Sequence, residues 1–289
     1  MTASTHARTT AGGARAREAA EPPARFRDLV GAEWLKLRSL RSVWIAHGAT
    51  ALLVIGLNAG TAYDRWSHWT ARDTADLAGF VRDGIPLQIA FSANAALLMA
   101  VALGAIGALA VVGEYSSGTI RTTFTAVPAR HSVMAAKAVV VAATATVSGA
   151  LAACVSFAVT QAVLDRRGAG VSLGDPGALQ VVAASALLAP VCALAGLALG
   201  AALRGTASAM VATVVCVLLL PLALTDGRHW SAVAGHALPY RAWLRLTDVP
   251  YAPEATPFPW TVSGAWTVYA GWACAACVLA VAAVRRRDH

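Results

Sequence analysis

The sequence predicts an all-α integral membrane protein with six transmembrane helices, both termini cytoplasmic, and an amphipathic interfacial helix before the first span. Three observations carry this. Only 13% of residues are charged, about half the share in an ordinary soluble domain, and the mean hydropathy is +0.60. The apolar residues gather into six blocks, 43–63, 87–112, 132–164, 178–203, 207–225 and 260–284, and about 20 apolar residues in a helix cross a hydrocarbon core roughly 30 Å thick. Lys and Arg are shared unevenly between the connections. With the N-terminus inside, the inner segments hold 15 of the 23 basic residues and the outer ones 8, while acidic residues divide 6 to 9. Basic residues collect on the cytoplasmic side, so the net charge of +8 follows from topology and calls for no nucleic-acid partner. The expected location is the cell membrane, as a multi-pass protein.

Taken in order, residues 1–24 are rich in Ala, Thr, Gly and Arg. They carry no apolar core of the kind a secretory signal needs and predict a disordered cytoplasmic tail. Residues 25–42 predict the interfacial helix. Phe26, Val30, Trp34 and Leu37 recur at helical spacing, and Arg27, Asp28, Glu33, Lys36, Arg38 and Arg41 fill the opposite face. Such a stripe sinks into the headgroup region while the cations favour anionic lipids.

Residues 43–289 predict a six-helix transmembrane domain, whose third block is long enough to tilt or project from the bilayer. Tryptophans sit at its water boundaries: Trp44 at the inner end of the first span, Trp66 and Trp69 beyond its outer end, Trp230 and Trp260 around the last outer loop. Two G-x-x-x-G pairs, Gly56/Gly60 and Gly196/Gly200, are candidate helix-contact faces. In the long outer connection 226–259, Tyr240 to Leu246 predicts a short helix at the outer leaflet. Tyr240, Trp243 and Leu244 are its candidate gate residues.

Missing chemistry narrows the function. The chain has no G-x-x-x-x-G-K-[ST] phosphate loop, no H-E-x-x-H and no G-x-S-x-G elbow. Of the C-x-x-C pair Cys274/Cys277, packing as small apolar side chains is the expected role. His229 and His236, seven apart, are a weak metal signal, and no metal site is expected. The spans carry uncharged polar residues at depth, such as Asn58, Ser92, Asn94, Ser156 and Gln161, rather than the Asp, Glu, Lys or Arg of an ion-coupled transporter. Any pathway therefore suits an apolar or amphipathic cargo.

The most informative segment is a polar island between the second and third blocks, Gly113-Glu114-Tyr115-Ser116-Ser117-Gly118-Thr119-Ile120-Arg121, followed by Pro128-Ala129-Arg130 and Lys137. Thr119–Val127 predicts a short helix with Ile120, Phe124 and Val127 on one face, capped by Ser117 and ended by Pro128. Gly118 lets the chain turn out of the preceding span.

This pattern resembles the type-2 ABC-transporter permease family, with its Glu-x-x-x-Gly-Thr segment, Pro-x-x-Arg-like turn and Lys entering the third helix; here Arg130 stands two residues after Pro128. The lead-in Glu33-Trp34-Leu35-Lys36-Leu37-Arg38-Ser39 is similar to that family too. The resemblance implies a transport subunit, not an enzyme, that dimerises as a homo- or heterodimer among membrane lipids. It is driven by a separate ATP-binding-cassette subunit and binds no cofactor itself, ATP being held by that partner. It implies that Glu114, Gly118, Thr119, Ile120, Arg121, Phe124, Pro128, Arg130 and Lys137 form the ATPase-coupling segment, and that the outer-loop helix lies near the exit. Drugs and lipids are among the family's exported substrates. The alternative is a membrane-embedded scaffold or enzyme without transport activity.

Overall fold

The computed structural model describes residues 25–126, 129–249 and 258–285. The expected tail at 1–24 and Pro128 of the island lie outside the described residues, within which no strand occurs. Six helical segments are long and apolar enough to cross a membrane: Arg41–Ser67, Ile85–Ser116, Arg130–Asp165, Ala178–Leu203, Thr206–Ala223 and Val262–Val284.

The chain opens with α1 (Phe26–Ser39), whose start is closed by the Asp28 carboxylate accepting from the Arg25 N–H at 3.1 Å. Instead of one helix over 25–42, the backbone turns extended at Leu40, and Arg41 already begins α2 (Arg41–Ser67). The outer connection folds into α3 (Ala71–Ala75) and α4 (Leu77–Arg82). Thr70 and Asp73 cap α3 reciprocally, and Arg65 donates to Asp73 at 2.6 Å while lying over the Phe80 ring.

The second span is two helices, α5 (Ile85–Ala90) and α6 (Ala93–Ser116), broken at Phe91–Ser92. The break is satisfied by α2: Asn58 Oδ1 accepts from the Ser92 N–H and hydroxyl at 3.0 and 2.9 Å. Asn58 Nδ2 donates to Ser156 Oγ at 3.1 Å, tying the third span to the same point. Asn58 is 1% exposed. Asn58→Ala strands the half-buried Ser92 N–H and is expected to cost about 1–3 kcal/mol. Thermal melting of the purified chain measures it, and an unchanged melting point would mean that the break is held by other contacts.

The elbow helix α7 (Thr119–Ala126) leads to α8 (Arg130–Asp165), which with α9 (Ala178–Leu203) makes the third and fourth spans. The fifth joins α10 (Thr206–Val214), a π-helical turn at Val215–Leu219, and α11 (Leu220–Ala223). A proline ring collides with the carbonyl four residues back, and the wide turn before Pro221 relieves that crowding. The outer loop holds α12 (His229–His236) and α13 (Pro239–Thr247), the second matching the expected helix, before α14 (Val262–Arg285) closes the domain.

The centre of the bundle is α9, packed against α6, α8 and α14. Its contact with α6 has no room for side chains: a Cβ on Gly107 would stand 1.9 Å from the Ala193 carbonyl oxygen, and one on Gly196 1.8 Å from that of Gly104. Gly200 faces Ala108 in the same way. The pair Gly196/Gly200 is thus a helix contact, as expected. Gly56 and Gly60 are not, since a Cβ at either meets nothing within 4 Å. Backbone approach at small residues is how helices gain dispersion contact where lipid removes the hydrophobic incentive.

Candidate functional site

The polar island is built from the ends of two spans. Its first four residues, Gly113–Ser116, continue α6 by one further turn. Ser117 ends that helix and turns its hydroxyl back to the Gly113 carbonyl at 2.8 Å, so it caps α6 and not α7 as its position suggested. Gly118 then adopts φ +74, a left-handed conformation that redirects the chain into α7. Four threonines would ordinarily weaken so short a helix. Here Thr122 and Thr123 donate to the Thr119 carbonyl at 2.8 and 3.1 Å, and Thr125 to that of Thr122 at 2.8 Å, so the hydroxyls are absorbed by the helix itself. Thr119, Ile120, Arg121 and Phe124 lie on α7; the side chains of the last three are outside the described residues. Arg130 is the first residue of α8.

Beneath this elbow four charges form a closed ring. Lys137 Nζ donates to Glu33 Oε2 at 2.5 Å and to Glu114 Oε1 at 2.9 Å. Lys36 Nζ donates to Glu33 Oε1 at 2.7 Å and to Glu114 Oε1 at 3.3 Å. Each carboxylate touches both ammonium groups, and the ring joins α1, the last turn of α6 and the first turns of α8. Glu33 is 4% exposed and Lys137 6%. Burial works against the charge on Lys36, but the hydrogen bond to Glu33 and the charges of Glu33 and Glu114 outweigh it, holding the ammonium above its ordinary pKa.

At about 3 Å and an effective dielectric near 20, each contact is worth roughly 5 kcal/mol of gross attraction. Desolvation of a buried ion costs several kcal/mol. The two nearly cancel, so the ring contributes geometry more than stability: it sets how α1 lies against the elbow.

Of the residues expected in the coupling segment, Glu114 and Lys137 are therefore brought together and engaged inside the chain. Glu33 and Lys36 complete them, although sequence reasoning placed both on the polar face of the lead-in helix. The available signal was Glu33 at the centre of Leu29, Glu33 and Leu37, spaced i, i+4, i+8. Those three are the residues of α1 that the fold buries, Leu29 packing against Val133 and Ala136 of α8. The expected stripe divides instead. Leu37 is buried and Val30 half-buried, while Phe26 and Trp34 are 49% and 41% exposed, with Trp34 edge-on to Trp44 at 5.9 Å.

At the other end of the bundle, α13 is clamped down. Trp243 Nε1 donates to Ser185 Oγ at 3.1 Å, Gln180 donates to the Leu246 carbonyl at 2.8 Å, and Arg241 pairs with Asp226. Tyr240 and Trp243 are buried and stacked at 5.7 Å, with Leu244 half-buried. Beneath Trp243 lies a small cavity bordered by Asn58, Ser92, Ser156 and Ser185. Nearby, His236 stacks on Trp260 at 4.4 Å; burial holds its imidazole below the ordinary pKa, with Asp226 pulling it back up and Arg241 pushing it further down.

A family model described as ABC-2 family transporter protein matches residues 29–222, from α1 through the fifth span and two thirds of the chain. No curated protein matches the chain.

Proposed function

The chain belongs to the ABC-2 family of transporter proteins and is a multi-pass membrane permease; from that premise we propose that it is the dimerising half of an exporter driven by a separate ATP-binding-cassette subunit. In this reading α7 is the helix the ATPase grips, and ATP is hydrolysed on that partner. The termini and α7 face the cytoplasm, as the distribution of Lys and Arg requires. The cargo is apolar or amphipathic, a drug or a lipid, in keeping with spans whose polar side chains at depth are uncharged. Phe26 and Trp34 of α1 dip into the inner headgroup region, and α13 closes the outer exit through Tyr240, Trp243 and Leu244.

The observation that carries this reading is the braced elbow: an eight-residue helix between two spans, with a buried charge ring directly under it. A soluble motor can move a membrane domain only through a handle that does not give way. Glu114 and Lys137 act as positioning residues for that handle, and the residues of α7 supply the contact surface.

Gly118→Val tests the coupling role. A Cβ there meets nothing within 4 Å, so the variant probes backbone conformation and not packing. A left-handed backbone costs a non-glycine residue about 1–2 kcal/mol, enough to shift the elbow's equilibrium about tenfold toward other conformations. The expected result is normal membrane insertion with co-purified ATPase and transport each reduced about tenfold. If the variant binds the cognate ATPase and exports as the wild type does, the coupling role is wrong.

A further inference from the structure

A furrow of about 570 Å³ runs between α9 and α14 on the outside of the bundle, floored by small side chains such as Ala198, Ala202, Ala275 and Ala282. It extends from Gly271 and Trp272 to Ala283. At 1.5 Å per residue that is about 18 Å, close to the ~15 Å of a single leaflet's hydrocarbon. Trp272 stands at one end, its indole N–H donating to the Ala237 carbonyl at 2.7 Å beneath the outer-loop helices. Arg204 stands at the other.

Arg204 is the sole non-glycine residue with positive φ among the described residues, at +59, and ends α9. Its guanidinium donates to the Ala283 carbonyl at 2.9 Å and lies 5.1 Å from the centre of the Tyr115 ring. Neither partner is a carboxylate, so among the described residues no acid neutralises this cation. Tyr115 adjoins Glu114, so this end of the furrow is the end that carries the charge ring.

From this combination we propose that the furrow holds one acyl chain of an anionic bilayer phospholipid, with the phosphate against Arg204. Small apolar side chains along that length give a hydrocarbon chain a continuous bed, with a basic group at its end. A basic side chain at the cytoplasmic mouth of an interhelical groove is the arrangement that captures anionic headgroups. Only the assignment to the inner leaflet rests on the orientation proposed above; the site itself does not.

Native mass spectrometry of the full chain, taken from nanodiscs of either phosphatidylglycerol or phosphatidylcholine, tests the site. The expected result is one phosphatidylglycerol retained per chain and far less phosphatidylcholine. Arg204→Gln should weaken retention about fivefold, the worth of one cation near an anionic headgroup. Ala275→Phe, which fills an exposed part of the furrow without touching the core, should abolish retention. Retention unchanged in Ala275→Phe, or equal for the two lipids and indifferent to Arg204→Gln, overturns the proposal. So does a disulfide between two Ala275→Cys copies in membranes, which would place a second copy of the chain there. ATPase co-purification by the same variants reports on the permease reading separately.

Discussion

Lys137→Ala is expected to destabilise the chain by about 3–5 kcal/mol, the usual cost of removing one partner from a buried ion cluster. In a chain of this size that lowers the melting temperature on the order of 10 °C. The cause is what remains behind. Glu33, 4% exposed, and Glu114 would then share the half-exposed Lys36, leaving more negative charge than one ammonium neutralises. Glu33→Gln combined with Lys137→Gln keeps the ring neutral, retains a hydrogen-bonding pair, and leaves Lys36 bound to Glu114. The double variant should melt above Lys137→Ala, and a double-mutant cycle should return a coupling of about 0.5–3 kcal/mol. If each single variant melts like the wild type and the effects add, the ring is not the brace described here. The functional readout separates stability from positioning: the double variant should recover its fold before it recovers ATPase binding, because the lateral lock on α1 is weaker.

Gly107→Val and Gly196→Val should be the most damaging substitutions in the bundle. Each drives a side chain into the backbone of the facing helix, at 1.9 and 1.8 Å from a carbonyl oxygen. Overpacking against movable side chains costs about 1–3 kcal/mol; backbone on both sides cannot yield so cheaply. These variants are expected to leave little chain extractable in folded form. Gly56→Ala and Gly60→Ala, in the same motif as Gly196/Gly200, meet open space and should be neutral or gain up to about 1 kcal/mol, by which alanine favours a helix. Fluorescence-detected size exclusion of the four variants, made side by side, reads the contrast. Equal yields across the set would overturn the assignment of α6 and α9 as the tightest contact.

These contrasts mark what the sequence could carry. Six spans were legible because length and hydropathy are properties of segments, and a segment that must satisfy every backbone group in lipid has few choices. The α13 helix was legible because Tyr240, Trp243 and Leu246 already sit at helical spacing. The two G-x-x-x-G pairs look alike in sequence, and only the position of α9 at the centre decides that one is a contact while the other faces outward. The break at Ser92 escaped detection because its cause, Asn58, lies 34 positions away on another helix. Glu33 was misplaced for a related reason. A buried face ordinarily shows itself by apolar residues, and this one buries a charge whose partner is 104 residues distant.

The charge ring also bears on how the protein is made. Glu33 and Lys36 leave the ribosome long before Lys137, and two spans must be threaded between Glu33 and Glu114 before the acids can meet. The ring closes only if an even number of crossings separates them and the third span enters from the same face as α1. A chain with one inverted hairpin would bring two acids and a single lysine to a site built for four charges. The clamp beneath the elbow therefore closes only when the first three spans run the right way.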